Sequence, residues 1–224
     1  MIPPERLDDL LLRVASTDDE LLMARRLHHE CYVLNGYIEP QADGIFMDEY
    51  SGHSTYLLCG RIAQAQGRTV CRLVGTMRMI ECSESGFQAI SKFAGARSLG
   101  SDAVDFTRTV ELSGLATVRG ELVAKALFRY AIRWSDARGD SHWLAVLDER
   151  TWRLFRNRYM FLFDRIGEPT FYMGASTAPY LMDRQRQQDF MRAETSARAQ
   201  YLYGAPMGCP PDNIEIPFTL DARL

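Results

Sequence analysis

The stretch from Val104 to Gly120 brings charged side chains into what reads as a strand, and those charges set the first chemical question. Strand alternation puts Val104, Phe106, Val110 and Leu112 on one face with Arg108 among them, and Asp105, Thr107, Thr109 and Glu111 on the other. An unpaired carboxylate is costly to bury, so Glu111 needs a partner, a solvated cleft or a proton to carry. Two readings stand side by side: a general base, and a structural ion pair with Arg78 or Arg108. Arg78 and Arg108 are themselves suited to fork a substrate carboxylate, because a planar guanidinium matches that geometry. Surface or core pairing is the alternative for each. Asp48 either holds a polar group of a second substrate or ties its own loop down.

The elements that must position these residues follow from periodicity and caps. Thr17-Asp18-Asp19-Glu20 opens a helix that continues through Leu21, Ala24, His28 and Tyr32 and stops near Asn35-Gly36. Residues 37–53 are turn-rich and acidic, a structured loop lying over something else. Ser54 to Cys59 and Val70 to Ile80 read as a strand pair joined through Gly60 to Arg68, with Arg72, Val74, Thr76 and Arg78 on one face of the second strand. Residues 82–101 read as a mobile connection with a helical turn or two. A helix follows from Glu121 to Arg138, then a strand from His142 to Leu147 and a helix from Asp148 with Trp152 and Phe155 turned inward. Met160 to Phe163 and Pro169 to Gly174 read as closing strands, residues 184–203 as one charged helix, and the tail from Pro206 as unstructured. The expected organisation is one domain over 1–183 and a helical, proline-rich extension over 184–224.

Composition closes off several classes. With 224 residues, 46% hydrophobic and 25% charged, the chain has the make-up of a single globular domain rather than a disordered or fibrous one. A net charge of -3 argues against dedicated nucleic-acid binding. Five unclustered cysteines without CxxC spacing suit reduced thiols in the cytoplasm, and neither a signal-peptide core nor a membrane-spanning apolar run is visible. Four histidines, none spaced i, i+4 with another, argue against a metal centre, and no cysteine sits in a recognisable nucleophile setting.

The order of elements resembles the GNAT acyltransferase fold, a mixed, mostly antiparallel central sheet flanked by helices on both faces (α/β, or α+β). The resemblance narrows at Gly75-Thr76-Met77-Arg78, Glu111-Leu112-Ser113, Leu115-Ala116-Thr117 before Arg119-Gly120, and Ile166-Gly167-Glu168-Pro169 through Tyr172-Met173-Gly174. Together these are similar to the N-acyl amino acid synthases, relatives of the acyl-homoserine-lactone autoinducer synthases. That resemblance implies an enzyme that moves a fatty acyl group from a thioester to an amine. The co-substrate would be an acyl carrier protein bearing a 4'-phosphopantetheine thioester, or acyl-CoA, with no permanently bound cofactor. The acceptor would be a small-molecule amino acid.

Residue by residue, the resemblance puts Glu111 at the family's strand glutamate. Its donor-binding turn falls on Leu115, Ala116, Thr117, Arg119 and Gly120. Arg78, Arg108, Asp48, His28 and Tyr32 fall to the acceptor side. His28 stands where the autoinducer synthases carry an arginine, four residues before the aromatic Tyr32. Ser51 replaces a second aspartate, and Gly114 replaces an arginine three residues beyond the glutamate. A register on Asp105-Phe106-Thr107-Arg108 keeps acid and arginine three apart but loses Leu115-Ala116-Thr117, so the Glu111 register is preferred. The missing arginine weighs against lactone formation more than against N-acylation. Glu121-Leu122-Val123, where a second glycine is expected, makes a poor pyrophosphate cradle and favours a carrier-protein donor. Phe106, Trp143, Phe161, Phe163 and Phe171 are candidates to line an acyl tunnel, or to fill a core. Arg150, Arg153, Arg156 and Arg158 with Arg129 and Arg133 are candidates for a basic docking patch. The rival to an enzyme is a non-catalytic acyl-binding or regulatory module on the same fold.

Overall fold

The computed structural model describes residues 2, 5–65, 68–93, 96, 104–118, 120–204 and 217–220. A hairpin of β1 (Glu5–Leu7) and β2 (Leu10–Val14) precedes α1 (Asp18–Leu34), whose N-cap Thr17 accepts a hydrogen bond from the Glu20 amide. Then come β3 (Ser54–Ala65), β4 (Arg68–Glu81), the short α2 (Gln88–Ser91), β5 (Thr109–Thr117), α3 (Gly120–Arg138), β6 (His142–Asp148) and α4 (Glu149–Arg158). The chain closes with β7 (Asp164–Arg165), β8 (Thr170–Tyr172), β9 (Ala175–Asp183), α5 (Arg184–Ala193), α6 (Ala197–Tyr203) and β10 (Phe218–Thr219).

The strands form a single sheet in the order β1-β2-β3-β4-β5-β6-β9-β7, with β8 paired to β9 and β10 to β4. The pairs are antiparallel except β5 with β6 and β10 with β4. Alternation sorts the side chains onto two faces. Leu57, Cys59, Met77, Met79, Val110 and Leu112 pack with α3 on one, and Tyr56, Leu58, Leu73 and Ala116 pack with α1 on the other. Farther along the α1 side, Ile80 and Leu144 pack with Phe87 and Ala89 of the α2 region. Glu111 pairs with Ile80 and with Leu144, so it points to this second face. Gly75 lets α3 lie close to the sheet, because a Cβ there would stand 2.5 Å from Val123 Cγ1.

Several expectations are corrected. Residues 104–108 are not strand: Asp105 Oδ1 accepts from the Thr107 amide (3.0 Å) and hydroxyl (2.6 Å), closing a 3-10 turn over Phe106–Arg108 before β5 begins. Residues 160–163 have no strand pairing, and the long closing strand is β9, beyond Gly174. The charged segment 184–203 is two helices, broken at Glu194–Ser196. The β1–β2 hairpin escaped the sequence reading. Most of the tail lies outside the described residues, but Phe218–Thr219 forms a parallel strand against β4. A Gly75→Ala substitution should cost about 1–3 kcal/mol by pushing Val123 off the sheet, read as a lower midpoint in urea denaturation.

Candidate active site

β5 and β6 begin as a parallel pair but separate. Their ladder runs from Thr109↔His142 to Leu112↔Ala145, after which β5 follows β4 as far as Thr117↔Gly75 and β6 follows β9 to Asp148↔Thr177. A bulge accompanies the split: Arg78 pairs with Ser113 and Thr76 with Ala116, so Gly114 and Leu115 together face Met77. Such bulges bend and twist a strand away from its neighbour. Gly114 takes a φ of 60° here, a conformation glycine adopts without Cβ strain.

A cavity of about 280 Å³ fills the gap. Its walls come from Leu112, Ser113, Gly114 and Leu115 of β5 and from Val146, Leu147 and Asp148 of β6. Leu154 and Phe155 of α4 add to them, as do Tyr172 and Met173 of the β8–β9 hairpin and Tyr32 and Tyr37 from the end of α1. Glu111 and Gln88 supply its polar inner corner. The β8–β9 turn reaches the α1 corner, where a Cβ at Gly174 would meet the Gly36 carbonyl at 2.4 Å.

Glu111 is almost entirely buried, at 1% exposure, yet lines this cavity. Its Oε2 accepts a hydrogen bond from the Ala89 amide at 3.2 Å. Burial raises its carboxyl to about 7, with the amides of Ala89 and Gln88 and the charge of Arg78 pulling the other way. A carboxyl poised there exchanges its proton at neutral pH. Around it runs a polar chain: the Tyr172 hydroxyl donates to Gln88 Oε1 (3.1 Å), Gln88 Nε2 to Ser113 Oγ (3.3 Å), and Arg78 Nη2 to the same Oγ (3.2 Å). Burial pushes the Tyr172 phenol up to about 12.

The sequence-derived site residues divide. Glu111, Tyr32 and Leu115 line the cavity. Arg78 does not: buried at 1% exposure, it forks Asp48 (Nη1 to Oδ1 2.8 Å, Nη2 to Oδ2 2.9 Å), which positions the loop rather than offering a free guanidinium to a substrate. Asp48 Oδ1 also accepts from the Tyr50 amide and the Ser51 hydroxyl, so Ser51 completes the tie. Arg108 is exposed and donates to the Gly139 carbonyl at 2.9 and 2.7 Å, away from the cavity, because the Asp105 turn takes it off the strand. Ala116 and Thr117 belong to the β4–β5 ladder and Gly120 starts α3, while Arg119 lies outside the described residues.

The expected tunnel is corrected too. Trp143, Phe161 and Phe163 are core residues, Phe106 packs on Phe87, and Phe171 is 78% exposed. In the basic patch, Arg129 and Arg133 are drawn to Glu5 at 2.9 and 2.5 Å, which leaves the arginines of α4 as its exposed members. Gln88, Ser113 and Tyr172 were missed as site residues. Polar character next to Glu111 and Gly174 was the available signal, but their meeting depends on the sheet order.

His28 and Gly114 explain each other. The fully buried His28 ring stacks on Phe46 at 4.1 Å and meets Tyr32 edge-on at 4.2 Å. A Cβ on Gly114 would lie 2.4 Å from His28 Cε1. Burial first, then Arg78 and His29, hold the imidazole pKa well below its usual value, so it is neutral at pH 7. Two positions that looked like separate departures from the resembled pattern are one packed contact.

A profile of the N-acyl amino acid synthase FeeM family matches residues 23–184, well over half of the chain. The chain belongs to the N-acyl amino acid synthase family. This makes it an acyltransferase. No curated protein matches by sequence. Among solved structures, the synthase is similar to the CoA-dependent acyl-homoserine lactone synthase BjaI with SAM and isopentyl-CoA (TM-score 0.66, 18% identity, covering 94% of this chain and 92% of that one). It is also similar to FeeM, an N-acyl amino acid synthase from uncultured soil microbes (TM-score 0.63, 15% identity, 88% and 98%), and to the AHL synthase LasI (0.61, 16%, 89% and 98%). At these identities the likeness shows the fold. The family's mixed, mostly antiparallel sheet with helices is the architecture described above.

Among the described residues no helix is long and apolar enough to cross a membrane, and no cluster of His, Cys, Asp and Glu fits a metal. An Asp48→Asn substitution in the synthase should cost about 3–5 kcal/mol, since it leaves the Arg78 charge buried without its counter-ion; a thermal melt beside the wild type reads the loss.

Proposed function

We propose that this synthase transfers a fatty acyl group from a thioester to the amine of an amino acid, releasing the thiol and an N-acyl amino acid. The observation carrying this reading is a buried carboxyl, Glu111, on the wall of a cavity held between two parted strands. The unpaired edge of β5 beyond Leu112 offers backbone groups that can hydrogen-bond the amides of a pantetheine arm and the thioester carbonyl. Leu112, Leu115, Leu147 and Leu154 give the aliphatic chain an apolar wall, worth about 0.8 kcal/mol for each methylene buried.

In the reaction, ionised Glu111 takes the proton from the ammonium or the attacking amine. The amine nitrogen forms its bond to the thioester carbon, and the tetrahedral oxyanion is held by β5 backbone N–H groups. Collapse breaks the C–S bond, and the leaving thiolate takes the proton back from the Glu111 carboxyl, which returns to its ionised form.

An acyl carrier protein is the proposed donor partner. Arg150, Arg153, Arg158 and Arg198 line a surface groove that shares Tyr37, Asp148, Thr151 and Leu154 with the cavity; Arg153 and Arg158 are paired with Glu149 and Glu121, so Arg150 and Arg198 bring the positive charge to its mouth. Acyl-CoA is the second reading for the donor, supported by the similarity to a CoA-dependent synthase. For the acceptor, the uncharged His28–Gly114 contact supports an amino acid over lactone-forming chemistry.

Product mass spectrometry with acylated carrier protein, acyl-CoA and a panel of amino acids tests both assignments. N-acyl amino acid from the charged carrier is expected; lactone, or tight acyl binding without turnover, contradicts the reading. Glu111→Gln should fold normally and lose about 10²–10⁴-fold in kcat with little change in KM. The wild-type rate should rise with pH through about 7, as the carboxyl ionises, and the variant should lack that limb.

A further inference from the structure

The cavity has a polar corner, where Glu111, Gln88 and Tyr172 meet, and a side that ends on α4, where Leu154 and Phe155 line it beyond the N-cap Asp148 and Thr151. Two neighbouring residues of that helix line it with very different exposure. Leu154 is 46% exposed and stands at the mouth, whereas Phe155 is 4% exposed and lies at the inner end. Behind Phe155 is a dense aromatic cluster. The rings of Phe128, Phe161, Tyr159 and Phe163 have centroids 5.2, 5.8, 5.9 and 6.0 Å from that of Phe155, and none of the four lines the cavity. Phe155 is therefore the partition between the space a ligand can use and a filled core.

We propose that Phe155 sets the length limit of the acyl chain. This rests on the acyl-transfer reading above, and adds to it which residue the chain's methyl end meets. An apolar cavity of about 150 Å³ holds a benzene-sized molecule. The 280 Å³ here must take the thioester and the amine as well as the chain, which leaves room for a short to medium aliphatic tail. Each methylene buried before the floor is worth about four-fold in binding. One that reaches the Phe155 ring has to displace a side chain held by four others, and close-packed aromatic neighbours give little. Chain-length preference should thus climb steadily and then break sharply, at a length decided by the size of residue 155.

The test compares the wild type with Phe155→Ala, Phe155→Leu and Phe161→Leu on a graded series of saturated acyl-pantetheine thioesters. A parallel measurement needs no turnover: displacement of a fluorescent fatty acid by unlabelled fatty acids of the same lengths. In both, Phe155→Ala should move the break to chains longer by a few methylenes and Phe155→Leu by fewer, while Phe161→Leu, which keeps the Phe155 ring and thins only the packing behind it, moves it less than Phe155→Leu does. If Phe155→Ala does not fold, the shift in Phe155→Leu alone decides. An unchanged break in folded Phe155 variants, or an equal shift in Phe161→Leu, overturns the proposal while leaving acyl transfer intact. A wild type that neither binds the aliphatic probe nor transfers any acyl group is a different outcome, and removes the functional reading together with the length limit.

Discussion

Between β5 and β6 the backbone ladder lasts four residue pairs and then stops, although both strands continue, and the site depends on that separation. Backbone polar groups on a strand edge need partners, and a gap between two strands of one sheet leaves an edge facing inward instead of outward to solvent. The bulge at Gly114–Leu115 turns β5 away, and the Asp148 side chain, which caps α4 by accepting from the Thr151 amide at 2.7 Å, ends β6. In the proposed reaction an extended arm carrying amides occupies that gap as a strand would, with its thioester at the level of Glu111. On the proposed reading the parted strands supply the place, and the carboxyl supplies the chemistry.

Glu111 owes its altered acidity to the same arrangement. It sits where the strands are still paired, on the face covered by α2, so it is removed from water; its side chain nevertheless reaches the cavity that opens one residue later. The bidentate Arg78–Asp48 pair lies next to it and is internally neutral, stabilising the ionised form less than a lone guanidinium would. Ser113 and Gln88 link that pair to Tyr172, so the loop over 37–53, β4, β5 and the β8–β9 hairpin are joined through side chains around one proton-carrying group. Neutral His28 packed on Gly114 keeps further charge out of this corner.

How far the sequence carries the account can be seen at particular residues. Glu111 was legible because alternation places it on a strand face where an unpaired carboxylate is expensive. The α1 cap, α3 and the β3–β4 pair were legible from local signals of the same kind. Arg108 was not, since the Asp105 side chain closes a turn that competes with the strand pattern. Nor was β9: Pro179 and its small polar neighbours mask a strand whose partners, β6 and β7, are set by topology. Aromatic identity could not separate tunnel from core. Phe155 and Phe161 look alike in sequence, and only the position of α4 across the split puts one against the cavity and the other behind it.

The central claim is that Glu111 is a buried carboxyl poised near neutrality on the wall of the cavity. Infrared difference spectroscopy of the carboxyl stretch, comparing wild type with Glu111→Gln across a pH titration, measures that group directly. The account predicts a protonated carboxyl band, absent from the variant, that titrates with a midpoint near 7. A residue 111 carboxylate that is already ionised at pH 5.5, with a midpoint in the ordinary glutamate range around 4.3, would contradict it.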